Sequence, residues 1–480
     1  MDYSGIKALV MGLGLHGGGL QSACFLIKRG AVVTVTDLRD EKTLLPSIEQ
    51  LDAACRELGG GSVRYVLGRH EIEDFQKADM VIKNPGVKPD SPYLQAAMRI
   101  ETDISLFLHE SPSELFAVTG SKCKSCTASA LHWILSRASD SKKPGSKAYL
   151  GGNITVSPLT FLEELSENDD VVLELSSWQL GDLKGRSASG GIPLLKPKAA
   201  VITAIMPDHL DRYTSMEEYV DDKRNIYRGQ DHSCVTVAGD CAWGKSFRAE
   251  TKGRPLVYSR SVLEEGQSGG WLDSEGRGMA RLLDWPGAGN EEVQLVPENL
   301  LVPGEHQKLN LLAAALASYG PGVDAGKILG ALADFPGIEH RLELFHEKNG
   351  VRFYNDSAAT IPEAAAACIE ALSPRSPLVL VTGGTDKNLD FSSLAKGCGR
   401  AKDIVLLAGS GSEKLISLLK AAGVSFSGPF DDLDRAVICA IEKAESGDTV
   451  ALSPGCASFG MFLNEFDRGK RWKDAVLRLS

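Results

Sequence analysis

Two glycine-rich stretches carry the residue types that grip phosphates. In one, Thr119-Gly120-Ser121-Lys122-Cys123-Lys124-Ser125-Cys126 follows the apolar run Leu115-Phe116-Ala117-Val118 and leads into a helical pattern. A short glycine loop between strand and helix, closing on Lys-Ser, matches the loop that cradles a triphosphate: Lys124 would neutralise the β- and γ-phosphates, and the Ser125 hydroxyl would ligate Mg²⁺. Cys123 stands where tight curvature around phosphate normally takes Gly, and a side chain held at φ > 0 costs about 1 kcal/mol or more. Three readings therefore stand side by side. They are a working loop that tolerates its cysteines, a weakened loop, and a Cys123-x-x-Cys126 dithiol redox site at a helix N-terminus. The other stretch, Gly12-Leu13-Gly14-Leu15-His16-Gly17, has Asp37 about twenty residues on, the dinucleotide fingerprint in its strand–turn–helix setting. It indicates a nucleotide or nucleotide-sugar, with the acid on ribose hydroxyls, or else a purely structural turn.

Acidic and metal-competent groups follow. Glu174 in Glu174-Leu175-Ser176-Ser177-Trp178-Gln179 ends an apolar strand, where it would hold a second divalent ion or make a strand-end salt bridge. His209, in Asp208-His209-Leu210-Asp211-Arg212, is the best metal or phosphate candidate among nine His; a core or surface role is the alternative. Lys223, on the helical pattern Tyr219-x-x-x-Lys223, reads by composition alone as a solvated helix face. Further on, Asp356 in Asn355-Asp356-Ser357 and Lys387 in Thr382-Gly383-Gly384-Thr385-Asp386-Lys387 would frame the far side of an ATP site. Ser458, with the amides around Phe459, would hold a carboxylate substrate. Arg341 lies in a Phe335-Pro336-Gly337-Ile338-Glu339-His340-Arg341 hinge and suits a residue that touches nucleotide on closure.

The elements that must position these groups are those of an α/β chain. Short apolar runs alternate with helical patterns: strands at 8–11, 31–36, 80–82, 115–118, 170–175, 199–205, 378–382, 404–407 and 449–452, most leading into a Gly-containing turn. Residues 263–294 read as hairpins or an exposed insertion. The 480 residues predict about three domains at roughly 150 each. Hydrophobic residues at 43% and charged residues at 24% exclude a disordered or collagen-like chain. The net charge of -11, without a Lys/Arg block, argues against nucleic-acid or anionic-membrane binding. Ten scattered Cys read as buried thiols in a reducing cytosol, and the N-terminus has no signal-peptide pattern, so a cytoplasmic protein is expected.

Taken in order, the blocks resemble the Mur ligase family. They are Gly12-Leu13-Gly14, Asn84-Pro85-Gly86, the 119–125 loop, Gly151-Gly152-Asn153-Ile154, the 174–180 block, Asp208 to Arg212, Gly304-x-His306-x-x-x-Asn310, His340-Arg341-x-Glu343, Asn355-Asp356-Ser357 and Leu452-Ser453-Pro454-x-Cys456-Ala457-Ser458. The Ser-Ser-aromatic-Gln-Leu block and the Ser-Pro-x-Cys-Ala-Ser ending point to its D-glutamate-adding branch. The resemblance implies three domains: 1–110, Rossmann-like and binding the UDP-substrate; 111–335, a central P-loop ATPase-type parallel sheet; and 336–480, Rossmann-like, binding the amino acid and closing on ATP. The implied reaction joins D-glutamate to UDP-N-acetylmuramoyl-L-alanine through an acyl-phosphate. It uses ATP and two Mg²⁺ (Mn²⁺ as substitute), in a monomeric enzyme of peptidoglycan precursor synthesis.

By matching positions, the resemblance makes residues 120–126, Asn310, Arg341 and Asp356 contact ATP, with Lys124, His209 and Lys223 catalytic. Ser125, Glu174, His209 and Lys223 would bind metal, Lys223 as a carbamylated lysine. Gly14, Leu15, Asp37, Asn84, Asn153, Ser458 and Phe459 would bind substrate. Three positions depart from the pattern: Cys123 for Gly, Cys126 for Thr, and Ala358 where many members carry Lys. We expect Cys123 to be tolerated. The competing readings are a ligase for another amino acid, a nucleotide-binding pseudoenzyme, and an NAD-dependent oxidoreductase resting on the first loop.

Overall fold

A computed structural model describes residues 2–15, 17–57, 63–142, 145–154, 156–208, 212–285, 290–302 and 304–480. The chain forms two compact units, Met1–Glu298 with Lys308–Leu332, and Asn299–Gln307 with Ala333–Ser480.

The first unit contains two sheets. Strands β1 (Lys7–Met11), β2 (Val32–Asp37), β3 (Arg64–Leu67), β4 (Met80–Lys83) and β5 (Ile100–Glu101) pair in the order β3-β2-β1-β4-β5, all parallel. The order reverses between β1 and β4, and a reversal of this kind opens a crevice at the carboxyl ends of the strands. The glycine loop follows β1 and the Asn84-Pro85-Gly86 turn follows β4, so both lie at that crevice.

The second sheet has nine strands: β6 (Glu114–Thr119), β7 (Ala148–Gly152), β8 (Asp170–Glu174), β9 (Ala199–Ile202), β10 (Val235–Gly239), β11 (Arg254–Ser259), β12 (Gly269–Leu272), β13 (Gly278–Arg281) and β14 (Val293–Val296). Their order is β14-β13-β12-β11-β10-β9-β6-β8-β7. Strands β8 and β9 are buried at every residue, as continuous apolar runs covered on both faces should be. The 263–294 segment supplies β12 to β14, two antiparallel steps that extend the sheet. The strand expected over 199–205 stops at Ile202, because the following residues leave the ladder to brace the phosphate loop. One apolar core runs through both sheets, from Val10 and Leu26 to Leu173 and Phe247.

The second unit is one sheet of β15 (Glu343–Lys348), β16 (Val351–Asn355), β17 (Leu378–Thr382), β18 (Asp403–Leu407), β19 (Ser427–Phe430) and β20 (Thr449–Leu452), ordered β15-β16-β20-β17-β18-β19, with only β15 antiparallel. Alternate residues point to opposite faces. Leu378, Leu380 and Ala451 pack with Leu415 and Leu419 on one side, while Val379, Val381 and Val450 pack with Val437 and Trp472 on the other. Among the described residues no helix is long and apolar enough to cross a membrane. The cysteines form no disulfide, and Cys241 is exposed, contrary to the expectation of buried thiols.

At the end of β4, Lys83 donates to Asp182 at 2.6 Å, both nearly fully buried, joining the first sheet to the helix Ser177–Asp182 beside the second. Burial pushes the Lys83 amine down and the Asp182 carboxyl up, so desolvation outweighs attraction on both sides. Such a pair specifies a junction more than it stabilises one. Asp182→Asn, which strands the lysine, is expected to destabilise by about 3–5 kcal/mol, read as a lower urea midpoint; Lys83→Met with Asp182→Leu is expected to recover most of that loss.

Candidate functional site

The phosphate loop is held open by its backbone. Gly120 adopts φ +146°, and a Cβ there would lie 1.8 Å from Thr203 Oγ1. The Thr203 hydroxyl donates to Thr119 O (3.1 Å) and Lys122 O (2.6 Å), and the amides of Ser121 and Lys122 donate to Ala204 O. The residues after β9 thus form the outer wall of the loop. Cys123 sits at φ +69°, so the position does require the left-handed conformation that normally selects Gly, and this chain holds a half-buried thiol in it. Its carbonyl accepts from Thr127 N at 3.1 Å and starts the helix Lys124–Lys142. Cys126 is buried on the first turn, with Ser125 half-buried before it. Lys122 is exposed and pairs with Asp208 at 3.6 Å.

Two amines converge on one carbonyl. Lys124 Nζ donates to Gly120 O and Ser121 O, each at 3.2 Å, and Lys223 Nζ donates to Gly120 O at 2.8 Å. Lys223 is only 1% exposed, packed on the Tyr219 ring, so the composition-based reading of a solvated helix face does not hold. Burial, reinforced by the charge of Lys124, pushes its amine down to about 7. Tyr219 shares a 2.9 Å hydrogen bond with Ser121 Oγ, which also donates to Met206 O.

On the next strand Glu174 is buried. Its Oε1 accepts from Asn153 Nδ2 at 2.9 Å, its carbonyl accepts from Asn153 N at 2.8 Å, and its Oε2 has no partner among the described residues. The close approach requires Gly152, at φ +100°, where a Cβ would lie 2.3 Å from Glu174 O. His209, like His16, Leu210 and Asp211, lies outside the described residues.

From Asn153 a cleft of about 360 Å³ runs back along Ser157, Gln179 and Asp103 to Gly14, Leu15, Arg39 and Asn84. Through Asn153 the cleft reaches the residue bonded to Glu174, in the same unit as the phosphate loop. The Asp37 carboxylate fastens the glycine loop to β2: Oδ2 accepts from Gly14 N (3.2 Å) and Oδ1 from Arg39 N (2.9 Å). The Asn84 Oδ1 accepts from Gly86 N and shapes its own turn. Asn310 is buried on the helix Glu305–Tyr319.

In the second unit the loops after β16, β20 and β17 meet. Asp356 accepts from Ser453 Oγ at 2.6 Å and Leu342 N at 3.1 Å, and burial raises its carboxyl to about 7. His340 (φ +66°) and Leu342 (φ +46°) bracket Arg341, a doubly left-handed hinge that leaves the guanidinium exposed. Ser458 is buried; Phe459 is 64% exposed, and Lys387 is exposed. Arg468, missed in the sequence, is fully buried and donates to Ser357 Oγ, Ser357 O and Cys456 O, lacing the first two of these loops together. Thr203 and Asp103 were also missed. Neither stands in a motif, and only the pairing of the strands brings them to the site.

Three family descriptions match in order: the MurD-like N-terminal domain of Mur ligases over residues 6–105, the Mur ligase middle domain over 118–318, and the Mur ligase glutamate ligase domain over 340–456. The chain is 39% identical to the UDP-N-acetylmuramoylalanine–D-glutamate ligase of Treponema pallidum (strain Nichols), over 98% of this chain and 97% of that one. It is 37% identical to the enzyme of the same name from Borreliella afzelii (strain PKo), over 99% and 98%. Among solved structures, the UDP-N-acetylmuramate-alanine ligase MurC of Thermotoga maritima shares the fold with a TM-score of 0.56 at 20% identity, covering 99% of this chain and 100% of that one. MurF of Acinetobacter baumannii does so with a TM-score of 0.58 at 16%, covering 98% and 94%.

The Lys223 amine is charged in the unfolded chain up to about 10.5 and in the folded chain only up to about 7. Between those values unfolding takes up a proton, so its contribution makes stability rise with pH across that window and level off below it. In CO₂-free buffer, Lys223→Met is expected to flatten the rise in urea midpoint between pH 7 and 9.

Proposed function

The chain belongs to the Mur ligase family, and we propose that it joins D-glutamate to UDP-N-acetylmuramoyl-L-alanine, cleaving ATP to ADP and phosphate. A carboxylate oxygen of the alanyl end attacks the γ-phosphorus and ADP leaves; the D-glutamate amine then attacks the acyl carbon and phosphate leaves, with an amide formed. The observation that supports this best is the single cleft from the first glycine loop to Asn153, beside Glu174 and in the same unit as the phosphate loop. A nucleotide-sugar anchored at Gly14 and Leu15 presents its acid end there. An NAD-dependent oxidoreductase would leave the second loop without a task.

We assign residues 1–110 to the UDP-substrate, 111–335 to ATP, and 336–480 to D-glutamate and nucleotide. Residues 120–126 cradle the phosphates, the Ser121 and Lys122 amides bracing the loop on Ala204 O, and Lys124 stabilises the charge that develops as the γ-phosphoryl moves. Asn153 positions the substrate acid. Asn310, Arg341 and Asp356 contact ATP, with Lys387 framing its far side, and Ser458 and Phe459 face the amino acid, without the Lys that Ala358 replaces.

The residues present fit a hard divalent cation: the unpartnered Glu174 Oε2 and the Ser125 hydroxyl are oxygen donors, which suit Mg²⁺. Ser125, Glu174, His209 and Lys223 would hold it, and it would supply charge neutralisation for the phosphates. Lys223 fits carbamylation, because a buried amine held at about 7 is substantially neutral and nucleophilic toward CO₂. Its carbamate nitrogen keeps an N–H for Gly120 O. We place the enzyme in the cytoplasm as a monomer.

Phosphate release with Mg-ATP, UDP-N-acetylmuramoyl-L-alanine and a panel of amino acids tests the assignment. D-glutamate is expected to be the preferred acceptor, and turnover with another acid but not D-glutamate would overturn it. In the same assay Cys123→Gly is expected to keep the KM for ATP within about threefold. Gly120→Ala is expected to lose at least about tenfold in kcat/KM, since its Cβ collides with Thr203. In CO₂-depleted buffer below pH 7 activity is expected to fall and to return on adding bicarbonate; an unchanged rate removes the carbamate.

A further inference from the structure

Two buried side-chain oxygens of residues that line the substrate cleft have no hydrogen-bond partner among the described residues. Asp103 Oδ1 and Ser157 Oγ are both buried and unpartnered, and Asp103 and Ser157 both line the cleft between the first glycine loop and Asn153. They come from different parts of the unit, Asp103 opening the helix Asp103–Glu110 after β5 and Ser157 preceding the turn Pro158–Thr160 after β7. Native proteins seldom leave buried polar atoms unsatisfied, and each exception calls for a partner such as a water, an ion or a ligand.

The chemistry of the missing partner follows from the acid. Burial pushes the Asp103 carboxyl up to about 6, while the amides of Ile104 and Asp103 hold it down, so at neutral pH it is largely ionised and accepts only. The neighbouring cation, Lys83, is engaged by Asp182. A diphosphate or a carboxylate offers acceptors and would be repelled. The group that satisfies Asp103 must be a donor, and on an uncharged sugar that is a hydroxyl or an amide N–H. The carboxyl turns about a soft torsion, so a bound donor can reach the buried oxygen without backbone movement.

We propose that Asp103, assisted by Ser157, binds the sugar of the nucleotide-sugar substrate, accepting hydrogen bonds from its hydroxyl or amide N–H groups. This rests on the substrate assigned under Proposed function. The sugar then lies between the diphosphate at the glycine loop and the acid end at Asn153, and these two residues read it separately from the nucleotide.

Calorimetric titration of the full-length protein with UDP-N-acetylmuramoyl-L-alanine and with UDP separates the possibilities. Asp103→Asn is expected to weaken the nucleotide-sugar about tenfold and Ser157→Ala about threefold, with UDP affinity held within about twofold. Sugar-conjugate binding unchanged in both variants overturns the inference, and so does an equal loss of conjugate and UDP, which marks a structural role. Thermal midpoints check folding; should Asp103→Asn not fold, Ser157→Ala decides alone. Wild-type protein that binds UDP but not the conjugate overturns the substrate assignment, and this inference with it.

Discussion

The site is organised around one carbonyl oxygen. Gly120 O accepts from both Lys124 and Lys223, and two full positive charges around one acceptor would repel by about 4 kcal/mol even at the screening of a protein surface. Burial decides which amine yields: Lys223 is the more enclosed and gives up its charge near neutrality, while Lys124 stays half-buried beside the loop amides. Under the proposed function, that difference in surroundings suits Lys124 to phosphate and Lys223 to carbamylation. The arrangement requires Gly120 to point its carbonyl inward, which in turn requires φ +146° and the Thr203 brace behind it.

The same economy of position governs Cys123. The left-handed turn that a glycine would take freely is here imposed on a thiol by the bonds around it: Ala204 O on the preceding amides and Thr127 N on its own carbonyl. The strain is of the order of 1 kcal/mol, small against those bonds taken together, so the curvature survives the substitution. A dithiol reading fares worse on burial, since Cys126 is enclosed in the first turn, whereas redox cysteines are accessible and electropositively placed.

What could be read from the chain alone was whatever follows a strand. The loops after β1, β6, β8, β16 and β20 were legible because each continues an apolar run into Gly, Ser, Asp or Lys, and parallel sheets place such ends together. Residues whose role depends on what lies across the fold were not. Lys223 is one polar residue on a polar helix until Tyr219 and the loop enclose it. Asp37 reads by spacing as a ribose ligand, and the spacing does not reveal that its carboxylate also accepts from two backbone amides of the glycine loop and β2 end. Residues 299–307 carry no motif that assigns them to the second unit, where Arg375 and Tyr354 donate to Leu300 O and Leu301 O.

Arg212 shows how the two sheets of the first unit act as one device. It directly follows the segment that holds His209, stacks on Trp178 at 4.3 Å, and donates to Pro85 O, Gly86 O and Val87 O in the turn after β4. Trp178 belongs to the helix that begins three residues after Glu174, so one guanidinium touches the backbone of the turn after β4 and the block carrying the buried acid. Any shift of the first sheet relative to the second would strip three carbonyls of their donor and separate the stacked pair. Together with the buried Lys83–Asp182 bond, this fixes the length of the cleft between glycine loop and Asn153. The spacing of the glycine loop and Asn153 is thereby held by direct bonds between the two sheets, which is the pre-positioning that a reaction between the two ends of one bound molecule would need.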